Sequence, residues 1–387
     1  MVELVSLSTS FPIEVNASTD RNEIKEALSQ ILYVPHVSLK PHIIAEIISY
    51  LETAFLNRSH TIKVFIAYNG SKVVGYVSAE IHPGYSSRNR KCATFGWLHA
   101  ANFETCRLLL DACEQFARDQ GIRLIRGNIN FPKTIGGIGI QENGFEEQML
   151  YGVAFSDPQS QIPHYLEKLG YKQDAEYVCM EVTHHTWGMG KELDKDIKIR
   201  YLSNEELRGR KDQLKDMARN VFYSVLPDAF GEDRFEEIMA LFEKVPQSHY
   251  KLPDRFNPHN ISQQSEFLEA WESCDLEKVN TFVHVAFTRD TDELVGAIFC
   301  LPDKYQLLQH EPITRVNVDT VMVKRGFGGK GIFSSLNNIG QLTGNMNGIT
   351  YYEGTGIWMV NEDAVRTVLP HGRINRRFFV WQNRLKK

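Results

Sequence analysis

The chain of 387 residues has no apolar run near the roughly 18 residues that cross a membrane as a helix. It has no basic run beyond a short tail, and its formal net charge is −5, which argues against a nucleic-acid binder. Its cysteines, Cys92, Cys106, Cys113, Cys179, Cys274 and Cys300, form no CxxC pair. They read as reduced packing thiols, which points to a cytoplasmic protein. The opening stretch, MVELVSLSTSFPIEV, lacks a basic start followed by an apolar core, so it is not expected to be a secretory signal. No Cys or carboxylate stands at ligand spacing from His184-His185. That pair reads as part of a solvated linker, and no metal is expected. What is present, 42% hydrophobic and 24% charged residues, is the composition of a globular protein too long for one ordinary domain.

The order of elements can be read from period and punctuation. Asp20 caps a helix to about Tyr33, with Glu23 placed for a capping box. Pro41 opens a second helix. Two alternating apolar runs flank Asn69-Gly70, a strong hairpin signal. Cys92–His99 is a third strand, Asn102–Gln120 an amphipathic helix and Arg123–Asn130 a fourth strand. A short helix from Pro163 and a strand over Tyr177–Val182 complete this part. Residues 183–196 are polar, contain glycine and lack periodicity, so they form a linker.

The plan then repeats. Ile197–Leu202 is a strand, Ser203 and Glu206 form a capping box, and Phe235–Val245 is a helix. Pro246–Asn260 reads as a loop and Ser265–Cys274 as a helix, together an insertion over 246–280. A hairpin follows over Thr281–Phe287 and Glu293–Leu301, then a strand over Arg315–Val323. Ile349–Val360 gives one strand or two, Glu362–Leu369 a helix and Arg376–Trp381 a last strand. Two copies of one α+β plan suggest duplication.

The chain is organised around RVNVDTVMVKRGFGGKGIFSSL, residues 315–336. It reads as a strand, a turn with Gly326, Gly328, Gly329 and Gly331, and a helix start. Such a turn leaves backbone N–H groups uncovered at the positive end of a helix, which is an anion site. The alternative is a glycine turn with no ligand. A P-loop fails, because Gly331 rather than Ser or Thr follows Lys330, and Arg325 stands where its first Gly belongs. The dinucleotide pattern is matched literally by Gly326, Gly328 and Gly331, but too little chain follows for the further βα units it needs.

VMVKRGFGGKGIFSSL resembles the acyl-CoA-binding motif of the GNAT superfamily of N-acyltransferases. In that register Gly331 is the central glycine, Gly328 stands where Arg or Gln is usual, and Phe333 where Gly or Ala is usual. The segments FGWLHAANFETCRLLLDACEQFARDQGIRLIRGNINFP and GYKQDAEYVCMEV are similar to the N-terminal half of bacterial tandem-GNAT proteins, many of them uncharacterised. GIWMVNEDAVRTVLPHGRINRRFFVW resembles the last third of a GNAT domain. Asn361 and Ala364 stand at matching positions, and Val368 occupies that of a Tyr which serves many family members as general acid.

The resemblance implies an α+β fold of two tandem GNAT-like domains, 1–182 and 197–387, each a mixed, mostly antiparallel sheet flanked by helices. It implies a cradle for acetyl-CoA or a longer acyl-CoA at Gly328, Gly329, Lys330, Gly331, Ile332 and Phe333, with Asn361 nearby. A bulky Phe333 is expected to narrow the pyrophosphate site. No glycine turn occurs in LHAANFETCR, so the N-terminal domain is expected to lack such a cradle and to shape the substrate site. In this family an N–H of the parted strand meets the acyl carbonyl, which nominates Met322 or Val323. Lys324 and Arg325 are placed to attract CoA phosphates.

For base chemistry the candidates are Asp319 and Glu353, each with a salt-bridged or solvated carboxylate as its alternative. Tyr352, with Tyr351 and His371, is a candidate acid or a packing residue. The reading is a transfer of an acyl group from a CoA thioester to a small amine or amino-acid acceptor. A catalytically inactive tandem-GNAT protein that binds a small molecule or partner is the alternative. A homodimer is an assembly that either reading admits.

Overall fold

Local chemistry places most elements where the sequence puts them. The computed structural model describes residues 12–146, 155–183, 192–222, 226–230, 233–245, 269–270 and 278–386. His184-His185 and nearly all of the 246–280 insertion lie outside the described residues. The first half runs β1 (Ile13–Ser18), α1 (Arg21–Ile31), α2 (Lys40–Leu56), β2 (Thr61–Asn69), β3 (Lys72–Ile81), β4 (Tyr85–Ser86), β5 (Ala93–Ala100), α3 (Phe103–Asp119), β6 (Leu124–Gly127), α4 (Lys133–Gly136), β7 (Ile140–Asn143), α5 (Ile162–Lys168) and β8 (Lys172–Val182). The second runs β9 (Ile197–Ser203), α6 (Asn204–Gly209), α7 (Lys211–Phe222), β10 (Ala229–Phe230), α8 (Asp233–Phe242), β11 (Val279–Thr288), β12 (Leu294–Pro302), α9 (Lys304–Leu308), β13 (Arg315–Val323), α10 (Ile332–Met346), β14 (Tyr351–Trp358), α11 (Glu362–Val368) and β15 (Gly372–Arg384). No described helix is long and apolar enough to cross a membrane.

The caps show how side chains settle helix starts. Ser203 and Glu206 form the reciprocal box, with Glu206 N–H donating to Ser203 Oγ (3.1 Å) and Ser203 N–H to Glu206 Oε2 (2.8 Å). At α1 only half of the expected box forms. Asp20 accepts from Glu23 N–H (2.8 Å), but its own N–H donates to Ser18 Oγ (3.1 Å). The Glu23 carboxylate is left to take the hydroxyls of Ser18 and Tyr68. Gly70, at φ +61°, turns the β2–β3 hairpin.

The strands join in one sheet in the order β1-β2-β3-β5-β6-β15-β8-β14-β13-β12-β11-β9, and β7 also pairs with β15. Each half carries one parallel pair, β5 with β6 and β13 with β14. The last strands of the halves are exchanged. β15 lies between β6 and β8 of the first half, and β8 pairs on its other side with β14 of the second. Apolar side chains of β15 enter both layers of the first half: Phe378 and Val380 pack in one cluster, Trp381 in another. Burying each contributes roughly 1.5–3 kcal/mol.

Beneath α10, β11 carries His284 at 0% exposure. Its ring packs edge-on against Tyr201 (centroids 4.7 Å) and beside Gly340, and neither ring nitrogen has a hydrogen-bond partner among the described residues. Burial pushes its pKa down to about 3. The folded chain therefore holds His284 neutral, whereas the unfolded chain protonates it below pH about 6.5. Stability falls as pH drops from about 6.5 towards 3. At pH 5 the expected loss from this group is about 2 kcal/mol, from 1.5 pH units at ~1.4 kcal/mol each. His284→Leu removes it. Urea titrations should show a stability gap between the variant and wild type that widens from pH 7.5 to pH 5. A gap independent of pH contradicts this account.

Candidate active site

The site begins where two parallel strands part. β13 and β14 stay paired from Arg315↔Tyr351 to Val318↔Gly354 and then diverge. On its other edge β13 continues along β12, with a register shift that leaves Asp319 as the extra residue of a bulge. Lys324 N–H donates to Val295 O (2.8 Å). By the alternation of an antiparallel ladder, the N–H of Met322 also faces β12, and those of Val321 and Val323 face the opening.

At the head of this opening lies the glycine turn. Gly326, Gly329 and Gly331 have φ of +89°, +79° and +74°. Gly331 is the N-cap of α10 and offers no side chain to its first turn. Among the described residues, the N–H groups of Gly328, Gly329, Gly331 and Ile332 find no acceptor. Gly331 is needed twice over, because a Cβ there would lie 2.4 Å from Glu192 O and L residues rarely adopt its φ. A Cβ on Gly328 would meet nothing within 4 Å, and its φ is unremarkable.

Between the parted strands and the first half lies a cavity of about 1080 Å³. β13, the glycine turn and α10 line one wall, and β14 and α11 line another. Away from the glycine turn the lining includes Tyr85, Lys133 and Tyr177 of the first half with Asp228, Phe230 and Arg234 of the second. β4 and β10 pair and join the halves.

No family model matches the sequence, and no curated protein matches it. Solved structures do match. A tandem GNAT protein from the clavulanic acid biosynthesis pathway aligns with a TM-score of 0.53 at 10% identity, over 97% of this chain and 99% of that one. The chain has a tandem GNAT fold. A GCN5-related glucosamine N-acetyltransferase region of a fungal multi-domain GH3 β-N-acetylglucosaminidase aligns at 0.54, with 12% identity, over 97% of this chain and 38% of that one. A conserved protein of unknown function from Enterococcus faecalis V583 aligns at 0.52, with 9% identity, over 97% and 73%.

Within the GNAT fold the two halves treat their openings differently. In the first half β5 and β6 part after Phe95↔Gly127. The following segment fills that gap itself. Ile129 N–H donates to Phe95 O (2.9 Å), and Asn130 Oδ1 accepts the N–H of Trp97 (2.6 Å). Trp97 Nε1 donates to Phe131 O (2.7 Å), and a Cβ on Gly96 would lie 2.1 Å from Ile129 O. The backbone donor at this position is consumed inside the chain, whereas Val323 of the GNAT second half opens on a cavity.

The residues nominated from sequence divide accordingly. Asp319, Met322, Val323, Gly328, Gly329, Gly331, Ile332, Phe333 and Asn361 line the cavity. So does Val368. Asn361 caps α11 by accepting from Ala364 N–H (3.3 Å). Lys324, Arg325, Lys330, Tyr352 and Glu353 are not in the lining. Lys324 pairs with Glu293, and Lys330 Nζ pairs with Asp194 at 2.8 Å, so the turn's cations lean on neighbouring loops.

Glu353 is completely buried against Arg376, with Asn375 Nδ2 (2.9 Å) and the Tyr351 hydroxyl (2.8 Å) also on its carboxylate. Arg376 and Asn375 come from the exchanged strand β15, which lies beyond β8 in the same sheet. The Tyr352 hydroxyl sits 2.9 Å from Gln341 O and 2.8 Å from Asn345 Oδ1, and burial pushes its pKa up. Asp319 pairs with Arg234 and accepts from Thr320 Oγ1 (3.0 Å). Burial pushes its carboxyl up, but the charges of Arg234 and Lys133 outweigh this and hold it below the usual carboxylate range.

Sequence reasoning missed Lys133, Asp228 and Arg234. The segment NFPKTIGG around Lys133 has no periodicity and no motif, and Asp228 gains its setting only by meeting Arg126 from the first half.

Proposed function

We propose that the chain is an acyl-CoA-dependent N-acyltransferase whose chemistry takes place in segment 197–387. Segment 1–182 closes the acceptor side, and 183–196 links the two. The observation that carries this reading is the run of unengaged N–H groups at Gly328, Gly329, Gly331 and Ile332, at the head of α10 and open to the cavity. Four donors at a helix N-terminus suit the pyrophosphate of acetyl-CoA or a longer acyl-CoA. The pantetheine arm then lies along the opening between β13 and β14.

The Val323 N–H is placed to stabilise the oxyanion as the acceptor amine adds to the thioester carbonyl. A C–N bond forms and the C–S bond breaks. Asp319, kept ionised by Arg234, is the carboxylate in the lining of β13 that can take the proton lost by the amine. Val368 supplies no acid. A thiol near the usual pKa of about 8.5 leaves as the thiolate without one. A small amine or amino-acid acceptor, acting in the cytoplasm without a metal, is the substrate class of this reading.

Two observations support a binding protein without turnover instead. Asp319 is tied to Arg234, and Val368 stands where a Tyr is usual.

The test is calorimetry with acetyl-CoA and octanoyl-CoA on wild type and Gly328→Asp. Gly328 has room for a side chain and no strained φ, so the new carboxylate should repel pyrophosphate without unfolding the turn. Expected is binding by wild type, a loss of at least 100-fold in the variant, and an unchanged melting temperature. Absence of binding at millimolar ligand refutes the acyl-CoA reading. Binding without product from any amine in a broad acceptor screen supports the second reading.

A further inference from the structure

The cavity's acceptor end holds a cation whose presence the transfer chemistry does not explain. Lys133 belongs to α4, in the segment that fills the first half's own opening, yet its side chain lines the cavity of the second half. Its Nζ stands 4.9 Å from the centroid of the Phe230 ring. Among the described residues it makes no hydrogen bond and no ion pair. The carboxylates around it are already engaged. Asp319 pairs with Arg234, and Asp228 is held by Arg126 and the hydroxyls of Tyr85 and Tyr177. Glu237 takes hydrogen bonds from Thr134, and burial pushes its carboxyl up towards the neutral form. The cavity lining also includes the apolar Leu214, Phe235 and Ile238 and the cations Lys215, Arg219 and Arg234. The Lys133 ammonium is thus half-buried in the cavity wall, with Asp319, Glu237 and Asp228 near enough to act on its charge but none of them paired with it, and a bound anion can supply the direct partner.

We infer that Lys133 is an anion subsite for the acceptor, which therefore carries a carboxylate together with its amine on an apolar body. This rests on the acyltransferase reading and names its acceptor class: an apolar amino acid or amino-carboxylic acid. The two halves then contribute to one site, the second presenting the acyl donor and the first holding the acceptor by its far end. Burial, then the Arg234 charge, lowers the Lys133 pKa to about 8. A carboxylate that binds the protonated form loses affinity as pH rises past that value.

The test uses straight-chain carboxylates of about four to twelve carbons, with primary alcohols of equal length as neutral controls. Calorimetry is run on wild type, Lys133→Met and Lys133→Arg. Wild type should bind at least one carboxylate tenfold or more tighter than its alcohol, and this preference should fall about tenfold between pH 7 and pH 9. Lys133→Met should lose the preference. Lys133→Arg should keep it and make it flat with pH, because guanidinium stays charged. Acetyl-CoA binding, measured in parallel, should be unchanged in both variants. No carboxylate preference in wild type, or its persistence in Lys133→Met, overturns the subsite. A carboxylate preference without acetyl-CoA binding upholds the subsite and overturns the transferase reading.

Discussion

Truncation after His371 is expected to abolish folding, although it removes only one strand and leaves every residue of the cavity lining except Phe378. β15 is an interior strand, so its loss exposes the unpaired edges of β6 and β8 together. It also removes Phe378, Val380 and Trp381 from two hydrophobic clusters, each worth roughly 1.5–3 kcal/mol. Arg376 goes as well, leaving Glu353 as a buried charge without its cation. That alone costs about 3–5 kcal/mol. The sum exceeds much of the roughly 5–15 kcal/mol that holds a domain together. The same exchange predicts that segments 1–182 and 197–387 fail to fold when expressed separately and fold when co-expressed. Each half lacks a central strand that the other provides. Circular dichroism and size-exclusion chromatography of the fragments decide it. A stable, monomeric 1–182 fragment would show that the exchanged strand is dispensable.

Arg126→Met is expected to destabilise the protein by about 3–5 kcal/mol. Arg126 and Asp228 are each 0% exposed, and they come from different halves. Arg126 donates to Asp228 through Nε (3.1 Å) and Nη2 (3.0 Å), and through Nη1 to Asp174 and Gln382. Removing the guanidinium leaves Asp228 with only the hydroxyls of Tyr85 and Tyr177 among these partners. Asp228→Asn should cost less, because Arg126 keeps Asp174 and the amide oxygen still accepts hydrogen bonds. The double variant Arg126→Met/Asp228→Leu should recover most of the loss, since it buries no lone charge. Urea unfolding of the four proteins gives the comparison. If the double variant is no more stable than Arg126→Met, the cost lies in packing rather than in the stranded carboxylate. Because Asp228 lines the cavity, the same variants should also weaken acceptor binding more than acyl-CoA binding.

Val323 and Met322 show how far neighbouring residues can differ in what they offer. Both lie in the strand before the glycine turn, and sequence alone gave no way to choose between them. The ladder with β12 turns the Met322 N–H inward and the Val323 N–H towards the cavity. Glu353 is the converse case. It lies one residue from the end of the pairing with β13, near the opening by number. The exchanged strand nevertheless brings Arg376 and Asn375 to it and makes it part of the sheet's interior.

The sequence by itself determined what short-range physics controls. Period-2 runs on either side of Asn69-Gly70 gave the hairpin, and Ser203 with Glu206 gave a helix start. The clustered glycines before Ile332 gave a turn with positive φ and uncovered N–H groups. These features depend on residues a few positions apart, so the local pattern suffices. The tertiary structure alone decided the rest: which edge β15 occupies, that Arg126 meets Asp228 across 102 positions, and that Lys133 enters the opposite half's cavity. Strand partners are chosen by which edges remain open once the chain has collapsed. Buried charges are paired by whichever counter-charge the fold carries to them. Neither choice leaves a mark on the residues beside it.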